Sequence, residues 1–430
     1  MKLLKPLSGL SFAIYGLGLS GNSVLKYLRK NKVKEKNIYC WDDELKKKKF
    51  NKKKFNKSLD FVNYIVVSPG VDIKKSIFKK KLQHNKNKII TDLDLFFMQK
   101  LNVKSIVVTG TNGKSTTCKL LEHILKVNKF SVKLGGNIGK PILDLPIKKN
   151  SFVVIEASSF QLAYSKYIKP NYAAILNITK DHLDWHRSLK NYILSKFNIF
   201  KLQKASDKAF LSEKKLINIF FKKKFKSRLI KLNKISKNKI LINKINNTYL
   251  TTRPNIENLN FAYNISKYLK ISKNNFIKAI NSFKGLPHRH ELVYEGKNLT
   301  IINDSKATSF DAAKFALEKN KNIYWIVGGL PKLGDTFSLG QIKKNINKAY
   351  IIGKSLNYFR DQLKGKVIFE KVYTLKKAVI KILQDLKYSD LKPTILLSPA
   401  SASYDQFNNF AHRGNEFKKL IKSYGRKFNS

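Results

Sequence analysis

Short apolar runs rich in β-branched residues recur along the 430-residue chain, and most of them end in a polar or glycine-rich turn. Such runs are typical of buried parallel strands, whereas apolar residues spaced three and four apart are typical of the helices that cover them. The predicted strands are 11–15, 38–41, 64–67, 105–109, 152–156, 173–176, 299–302, 323–327, 349–352 and 394–397. Alternation of these strands with helical segments predicts an α/β fold with parallel sheets.

The chain is too long to fold around a single ordinary hydrophobic core. The order of predicted strands, helices and turns divides it into three predicted domains, 1–90, 91–284 and 285–430. The last boundary lies where Gly285 and Pro287 end a helical pattern. The lysine-rich segment 201–250 is weakly periodic, so we expect only short strands and surface loops there.

Composition adds a strong basic bias, with 86 Lys and Arg against 28 Asp and Glu and a net charge of +58. This balance is typical of proteins that bind nucleic acids or anionic membranes. However, the lysines are spread along the chain among Asn, Ile, Phe and Tyr, as AT-rich codon usage would produce. We therefore expect no specific nucleic-acid partner, although an ATP-dependent nucleic-acid-binding protein stays open as an alternative.

Two further features indicate the compartment. Cys40 and Cys118 offer neither a disulfide framework nor zinc-ligand spacing, which suits a reducing cytosol. No apolar run reaches the roughly 20 residues that span a bilayer. We expect a cytoplasmic protein without membrane insertion.

A glycine-bounded turn between a predicted strand and a predicted helix carries the clearest chemistry. Backbone N–H groups and the positive end of a helix bind phosphate oxygens, a lysine adds a point charge, and a hydroxyl binds magnesium. A glycine turn without a ligand is the alternative. The segment comprises Gly110, Thr111, Asn112, Gly113, Lys114, Ser115 and Thr116.

A second glycine-rich turn follows the first predicted strand and includes Gly16, Leu17 and Ser20. Asp42 ends the second strand, where a dinucleotide-type fold places ribose-binding acids, and Gly70 follows the third. This pattern predicts a Rossmann-like domain that binds a phosphate-bearing ligand. A Rossmann-like domain used only for packing is the alternative.

Three polar residues follow strands of the central domain or lie close behind them. Glu156 ends an apolar strand, and oxygen ligands such as its carboxylate and Ser115 suit Mg²⁺. His182 follows the next strand and is either structural or part of the site. Lys196 lies on a predicted helix downstream, where it would bind phosphate or become chemically modified.

Polar loops also follow the strands of the third predicted domain. Arg289 lies at the predicted domain boundary, where a guanidinium could reach a phosphate. The loops around residues 303–308, 328–332 and 398–407 should meet at one sheet edge. Together they predict a binding site for a small anionic molecule.

These motifs together resemble the Mur ligase family, ATP-dependent amide-bond-forming enzymes of peptidoglycan precursor synthesis. The resemblance covers nearly the whole chain and implies three domains: a Rossmann-like N-terminal domain, a central P-loop ATPase-like domain and a Rossmann-like C-terminal domain. It also implies ATP and two Mg²⁺ ions as cofactors. We expect a monomer.

The resemblance assigns roles residue by residue. Lys114, His182, Lys196 and Arg289 would act in catalysis, and Lys196 would be carbamylated. The loop 110–116 would bind ATP with Asn255, Asn258, Arg289 and Asp304. The implied metal ligands are Ser115, Glu156, His182 and carbamylated Lys196. The implied contacts to the UDP-sugar substrate are Gly16, Leu17, Ser20, Asp42, Gly70, Asn137, Ser158 and Gln161.

The C-terminal loops resemble those of the family member that adds D-glutamate to UDP-N-acetylmuramoyl-L-alanine. The implied D-glutamate contacts are Lys306, Thr308, Lys332, Ser403 and Phe410. The Asp-Asn-Pro-Arg sequence of the member that adds diaminopimelate or lysine is absent from the chain. Another Mur-type ligase or a folylpolyglutamate-type ligase is the alternative.

Overall fold

The computed structural model describes residues 6–44, 50–99, 101–232, 235, 242–247, 249–251, 253–332, 334–386 and 392–424. The chain divides into two compact units, Met1–Phe283 and Lys284–Ser430. Among these described residues, two sheets lie in the first unit and one lies in the second.

The first sheet is parallel and has the strand order β2-β1-β3-β4. β1 is fully buried because both faces of the sheet are covered by helices, as its uninterrupted apolar sequence predicts. The elements are β1 Phe12–Tyr15, α1 Leu19–Lys30, β2 Ile38–Trp41, α2 Lys52–Phe61, β3 Tyr64–Val67, α3 Lys79–His84, β4 Ile89–Ile90 and α4 Asp92–Met98.

The second sheet is also parallel, with the order β10-β9-β8-β5-β7-β6. Its β5 lies between β8 and β7, so the turn after β5 opens at the centre of the sheet edge. The elements are β5 Lys104–Thr109, α5 Lys114–Val127, β6 Val132–Gly136, β7 Phe152–Glu156, α6 Ser159–Tyr164, β8 Tyr172–Ile175, α7 Leu183–His186, α8 Leu189–Phe197, β9 Lys208–Leu211, α9 Lys214–Lys222, β10 Arg228–Lys231, α10 Arg253–Tyr268 and α11 Lys273–Asn281.

The segment 201–250 contains a helix that its composition did not predict. α9 connects the short parallel strands β9 and β10, which the sequence did indicate. Only Leu216 and Phe220 of this helix are fully buried, and lysines occupy much of its remaining surface. Leu216, Ile217, Ile219 and Phe220 are nevertheless spaced as one helix face and pack into the core of the sheet. The helical signal is thus present in these nine residues and is weak only over the longer lysine-rich segment.

The third sheet has the order β11-β12-β16-β13-β14-β15 and is parallel except for the edge pair β11 and β12. Trp325 of β13 is completely buried at its centre, with its indole N–H donating to the carbonyl oxygen of Ser398. The elements are β11 Glu291–Glu295, β12 Thr300–Asn303, α12 Phe310–Lys319, β13 Ile323–Gly328, β14 Ile346–Ile352, α13 Leu356–Leu363, β15 Phe369–Tyr373, α14 Leu375–Asp385, β16 Thr394–Leu397 and α15 Phe410–Tyr424.

The α/β class predicted from the strand pattern is confirmed, and one sheet falls within each predicted domain range. The predicted boundary between residues 90 and 91 lies inside the first compact unit and stays a prediction. Within the described ranges, no helix combines the length and the apolar character that crossing a membrane would need.

Candidate active site

The turn between β5 and α5 has the backbone shape of a phosphate-binding loop. Gly113 precedes α5 in the left-handed region, with φ of 83°. A Cβ atom at this position would lie 2.1 Å from Oδ1 of Asn258, which is closer than any real contact. Glycine is therefore required here both by conformation and by space.

Residues beyond β8 hold this loop in place. The backbone N–H groups of Thr111 and Asn112 donate to the carbonyl oxygen and to Oδ1 of Asn177, each at 2.9 Å. The hydroxyl of Thr111 lies 3.0 Å from that of Tyr192. The sequence assigned no role to Asn177 or Tyr192, because strand order alone brings them to the loop.

The lysine of the loop folds back over the turn. Lys114 Nζ donates to the carbonyl oxygens of Gly110 at 3.0 Å and Thr111 at 2.8 Å. Ser115 is half-buried and Thr116 is buried in the first turn of α5. The predicted phosphate-binding residues are thus contiguous at one helix N-terminus, where anions are favoured.

The two asparagines of α10 reach the same place. Asn258 Nδ2 donates to Oδ1 of Asn255 at 3.1 Å, and Asn258 Oδ1 accepts from the hydroxyl of Thr117 at 3.1 Å. Both asparagine side chains are largely buried against the start of α5. The structure therefore brings the predicted Asn255 and Asn258 pair to the phosphate loop.

Glu156 is 2% exposed at the end of β7, in register with Val108 at the end of β5. Its Oε1 accepts a hydrogen bond of 2.8 Å from Asn137 Nδ2, whereas its Oε2 is buried and has no hydrogen-bond partner among the described residues. A buried, unpartnered carboxylate oxygen is costly unless a cation or donor binds it. Glu156 thus fits the predicted role of a magnesium ligand.

Lys196 lies on α8 but reaches across to the phosphate loop. Its Nζ donates to the carbonyl oxygen of Gly110 at 2.8 Å and lies 4.5 Å from the centre of the Tyr192 ring. The residue is 1% exposed. Burial lowers the pKa of Lys196 well below its ordinary value, and the nearby Lys114 lowers it further. The amine is thereby disposed toward its neutral, nucleophilic form.

His182 precedes α7 in the left-handed region, with φ of 51°. Its half-exposed ring packs against Phe160 in a tilted arrangement, with ring centres 4.7 Å apart, and its Nε2 lies 3.3 Å from Oδ2 of Asp181. Within the described part of the chain, no three His, Cys, Asp or Glu side chains form a metal-binding group. A magnesium site here would therefore need hydroxyl, substrate or carbamate oxygens as well.

The glycine-rich turn after β1 adjoins the ends of the neighbouring strands. Ser68 Oγ donates to the carbonyl oxygen of Gly16 at 2.7 Å, and the Leu17 N–H donates to Oδ2 of Asp42 at 2.5 Å. Ser20 is half-buried in the first turn of α1, and Gly70 is exposed in the loop after β3. The predicted N-terminal contacts thus share one sheet edge.

Two predicted UDP-sugar contacts already have intramolecular partners. Ser158 and Gln161 form a capping box at α6, in which each side chain bonds to the backbone N–H of the other. Gln161 Nε2 also donates to the carboxylate of the fully buried Asp92 at 3.1 Å. Their role in substrate binding stays a prediction.

In the second unit, Asp304 directly follows β12 and is 8% exposed. Its Oδ1 accepts from the His290 N–H at 3.0 Å and its Oδ2 from Ser398 Oγ at 2.8 Å. Burial raises the pKa of Asp304 to about 7, although these hydrogen bonds and the charge of Arg289 act in the opposite direction. Asp304 and Arg289 therefore lie close enough to interact electrostatically. Their shared role in binding ATP stays a prediction.

The loops after β12, β13 and β16 meet because these strands are neighbours in the sheet. Lys306 Nζ lies 3.8 Å from the centre of the Phe410 ring, a close cation–π contact. Thr308 is half-buried and Ser403 is buried, whereas Lys332 is exposed. The structure thus brings Lys306 and Phe410 into direct contact.

A buried arginine that was given no role holds these loops together. Arg413 is 1% exposed and donates to Ser305 Oγ at 3.0 Å and to the carbonyl oxygens of Ser305 and Ser401, both at 2.9 Å. Burial lowers its pKa to about 10. A guanidinium has enough donors to hold two loops from one position. The sequence could have indicated this role for Arg413 of α15 only once the order of the strands in the sheet was known.

Comparisons with known proteins identify relatives of the chain. Residues 108–275 match the model of the Mur ligase middle domain. The UDP-N-acetylmuramoylalanine–D-glutamate ligase of Wolbachia sp. subsp. Brugia malayi (strain TRS) is 34% identical, with 96% of each chain covered. The ligase of the same name from Rickettsia prowazekii (strain Madrid E) is 34% identical, covering 96% of this chain and 97% of its own.

The fold also matches that of the MurF ligase from Thermotoga maritima, solved in complex with ADP. The TM-score is 0.56 at 14% identity, with 98% of this chain and 100% of that chain covered. Together with the near full-length relatives, these matches show that the chain belongs to the Mur ligase family.

Proposed function

We propose that the chain is an ATP-dependent ligase that joins D-glutamate to UDP-N-acetylmuramoyl-L-alanine, in cytoplasmic peptidoglycan precursor synthesis. Relatives with that name match at 34% identity over 96% of the chain. We propose that it acts as a monomer.

The observation that best supports the proposal is the meeting of two lysines at the phosphate loop. Lys114 and Lys196 both donate to the carbonyl oxygen of Gly110, although they come from different helices. Lys114 is half-buried at the start of α5, whereas Lys196 is buried and favours the neutral amine because burial lowers its pKa. This division suits phosphoryl transfer, in which charge on the transferred group must be neutralised.

In the proposed reaction, a carboxylate oxygen of UDP-N-acetylmuramoyl-L-alanine attacks the γ-phosphorus of ATP, giving an acyl phosphate and ADP. The amine of D-glutamate then attacks the acyl carbon, loses a proton, and the tetrahedral intermediate expels phosphate to leave an amide. Lys114 and the backbone N–H groups of residues 110–116 would hold the phosphates. Arg289 and Asp304 would contact ATP, and Asn255 and Asn258 its adenine.

The residues present fit a divalent cation, since Glu156 has an unpartnered buried oxygen. Ser115, Glu156, His182 and carbamylated Lys196 would hold two Mg²⁺ ions, which when bound neutralise phosphate charge. The neutral Lys196 amine would attack carbon dioxide and release a proton, so that a carboxylate-like group replaces the amine.

The two substrates would bind at different sheet edges. Gly16, Leu17, Ser20, Asp42, Gly70, Asn137, Ser158 and Gln161 are proposed for the UDP-sugar. Lys306 and Lys332 would pair with the carboxylates of D-glutamate, and Thr308, Ser403 and Phe410 would enclose it. The contact of Lys306 with Phe410 supports this set, because it fixes the ammonium group over the ring.

The test is phosphate release from ATP with magnesium and UDP-N-acetylmuramoyl-L-alanine, adding D-glutamate, L-glutamate, lysine or diaminopimelate in turn and detecting the product by mass. We expect turnover with D-glutamate alone, and its loss in Lys114→Ala. Turnover with another amino acid would overturn the proposed substrate. Hydrolysis that needs only DNA or RNA would favour a nucleic-acid-binding ATPase instead.

A further inference from the structure

An ion pair connects the loop after β3 with the turn that carries His182. Arg187 Nη2 lies 2.9 Å from Oδ2 of Asp72, and the Asp72 side chain is only 11% exposed. The two residues are 115 positions apart in the sequence, and each belongs to a loop that carries a proposed site residue. Asp72 lies two positions after Gly70, which is proposed to contact the UDP-sugar.

The Asp72 carboxylate also shapes its own loop. Its Oδ1 accepts from the backbone N–H of Lys74 at 3.0 Å, and the Asp72 carbonyl oxygen accepts from the N–H of Lys75 at 3.0 Å. One carboxylate oxygen of Asp72 is therefore held by the backbone of its own loop, and the other contacts Arg187. Moving Arg187 would disturb the loop that includes Gly70.

Arg187 is equally fixed on its own side. It ends α7 in the left-handed region, with φ of 69°, and its Nη1 donates to the carbonyl oxygen of Asp184 at 2.5 Å. His182 begins the same single turn of helix. The guanidinium and the His182 imidazole are thus attached to the two ends of one short helix, so that a shift of one end moves the other.

A second contact runs beside the ion pair. The Ile73 N–H donates to the hydroxyl of Tyr164 at 3.4 Å, and the Tyr164 ring packs against Trp185 of α7 with centres 5.4 Å apart. The loop after β3 is therefore connected to α7 through the ion pair with Arg187 and, indirectly, through Tyr164 of α6. Two parallel contacts restrain relative rotation better than one.

We propose that Arg187 is a positioning residue that couples the nucleotide-sugar site to the metal and phosphate site. The Asp72–Arg187 ion pair holds the Gly70 loop against α7, and thereby sets where His182 lies relative to a bound UDP-sugar. The inference rests on the proposed function. Because such coupling is reciprocal, magnesium-bound nucleotide should tighten UDP-sugar binding, and the UDP-sugar should tighten nucleotide binding by the same factor.

The test uses Arg187→Gln and Asp72→Asn, singly and together, in the full chain. We expect each single variant to raise the KM for UDP-N-acetylmuramoyl-L-alanine about threefold to tenfold, the range for a partly exposed ion pair with one buried partner. The KM for D-glutamate should stay unchanged. The double variant should behave like either single one, because both substitutions remove the same interaction.

Binding measurements separate positioning from simple loss of stability. Calorimetric titration of UDP-N-acetylmuramoyl-L-alanine, with and without magnesium and a non-hydrolysable ATP analogue, should show a coupling factor that shrinks in Arg187→Gln. Arg187→Lys should recover part of it, since an ammonium can still pair with Asp72. Arg29→Gln is the matched control, because it breaks the exposed Arg29–Glu35 ion pair within the same unit.

Normal turnover of the unmodified protein combined with an unchanged coupling factor in Arg187→Gln and Asp72→Asn would overturn this inference alone. Equal increases in the KM values for ATP, UDP-N-acetylmuramoyl-L-alanine and D-glutamate would also overturn it, because they would indicate general damage to the fold. No turnover of the unmodified protein with D-glutamate would instead overturn the proposed function, and this inference with it.

Discussion

Lys196 Nζ and Lys114 Nζ share one acceptor, the carbonyl oxygen of Gly110, at 2.8 and 3.0 Å. Two ammonium groups so placed would repel each other. Burial is the main reason that the pKa of Lys196 is lowered, and the charge of Lys114 adds to the effect. The arrangement separates Lys114, which is proposed to bind phosphate as a cation, from the Lys196 amine, which favours its neutral form.

Replacing Lys196 by arginine should abolish turnover, by at least about 100-fold, because a guanidinium stays charged and cannot form a carbamate. With ¹³C-bicarbonate, the unmodified protein should give a carbamate carbon signal by NMR that Lys196→Arg lacks. Lys190→Arg, on the exposed face of the same helix, should keep both the signal and turnover. An identical signal in Lys196→Arg would contradict the assignment.

Replacing Glu156 by glutamine keeps the shape of the side chain but removes its charge. We expect the magnesium concentration for half-maximal activity to rise at least about tenfold. The hydrogen bond from Asn137 can remain, whereas the neutral amide oxygen of glutamine binds magnesium more weakly than the carboxylate does. Magnesium titrations of turnover measure this. A variant with an unchanged magnesium requirement would exclude Glu156 from the metal site.

Gly113→Ala should be more damaging than Gly365→Ala, although both glycines have positive φ, 83° and 70°. Each substitution costs about 1 to 2 kcal/mol of left-handed strain. Only Gly113 adds a collision with Asn258, whereas nothing lies within 4 Å of a Cβ at Gly365. Thermal unfolding should show the larger loss for Gly113→Ala, together with a higher KM for ATP, and equal losses would count against the crowding argument.

The carboxyl of Asp304 should make stability depend on pH. Because burial raises its folded pKa from 3.8 to about 7, its contribution is fully present below about pH 4 and is lost as the pH rises through about 7. Over that interval the unfolding free energy should fall by at most about 4 kcal/mol, which is a shift of about three pKa units. Denaturant unfolding at pH 5 and pH 8 should therefore show a smaller pH dependence in Asp304→Asn than in the unmodified protein, and the same dependence in both would contradict the assignment.

Arg413→Lys should destabilise the unit Lys284–Ser430, since lysine cannot reach Ser305 and Ser401 together. We expect a loss of about 2 to 4 kcal/mol, from hydrogen bonds of a charged group that leave buried carbonyls unpaired. The KM for D-glutamate should rise as the loops carrying Lys306 and Ser403 loosen. Arg360→Lys is the control, because Arg360 is exposed and its guanidinium pairs with its sequence neighbour Asp361. Equal stability of both variants would contradict the role given to Arg413.

Local sequence pattern by itself determines much of this protein. The phosphate loop and the strand ends at Glu156 and Asp304 follow from apolar runs and glycines, since burial and turn geometry are encoded by neighbouring residues. The α/β class and the meeting of three C-terminal loops followed from the same signals. Helix α9 was not predicted, although Leu216, Ile217 and Phe220 have helical spacing, because the lysine-rich segment 201–250 as a whole is weakly periodic.

The tertiary structure alone decided which side chains meet. Periodicity could place Lys196 on a helix but not at the carbonyl of Gly110, 86 residues earlier, nor could it reveal that burial would lower its pKa. The same holds for Asn177 beneath the phosphate loop, for Arg413 between two strand ends and for Arg187 on Asp72. These contacts depend on strand order and on packing across the sheet, which are long-range properties of the fold, and a local sequence pattern carries no record of them.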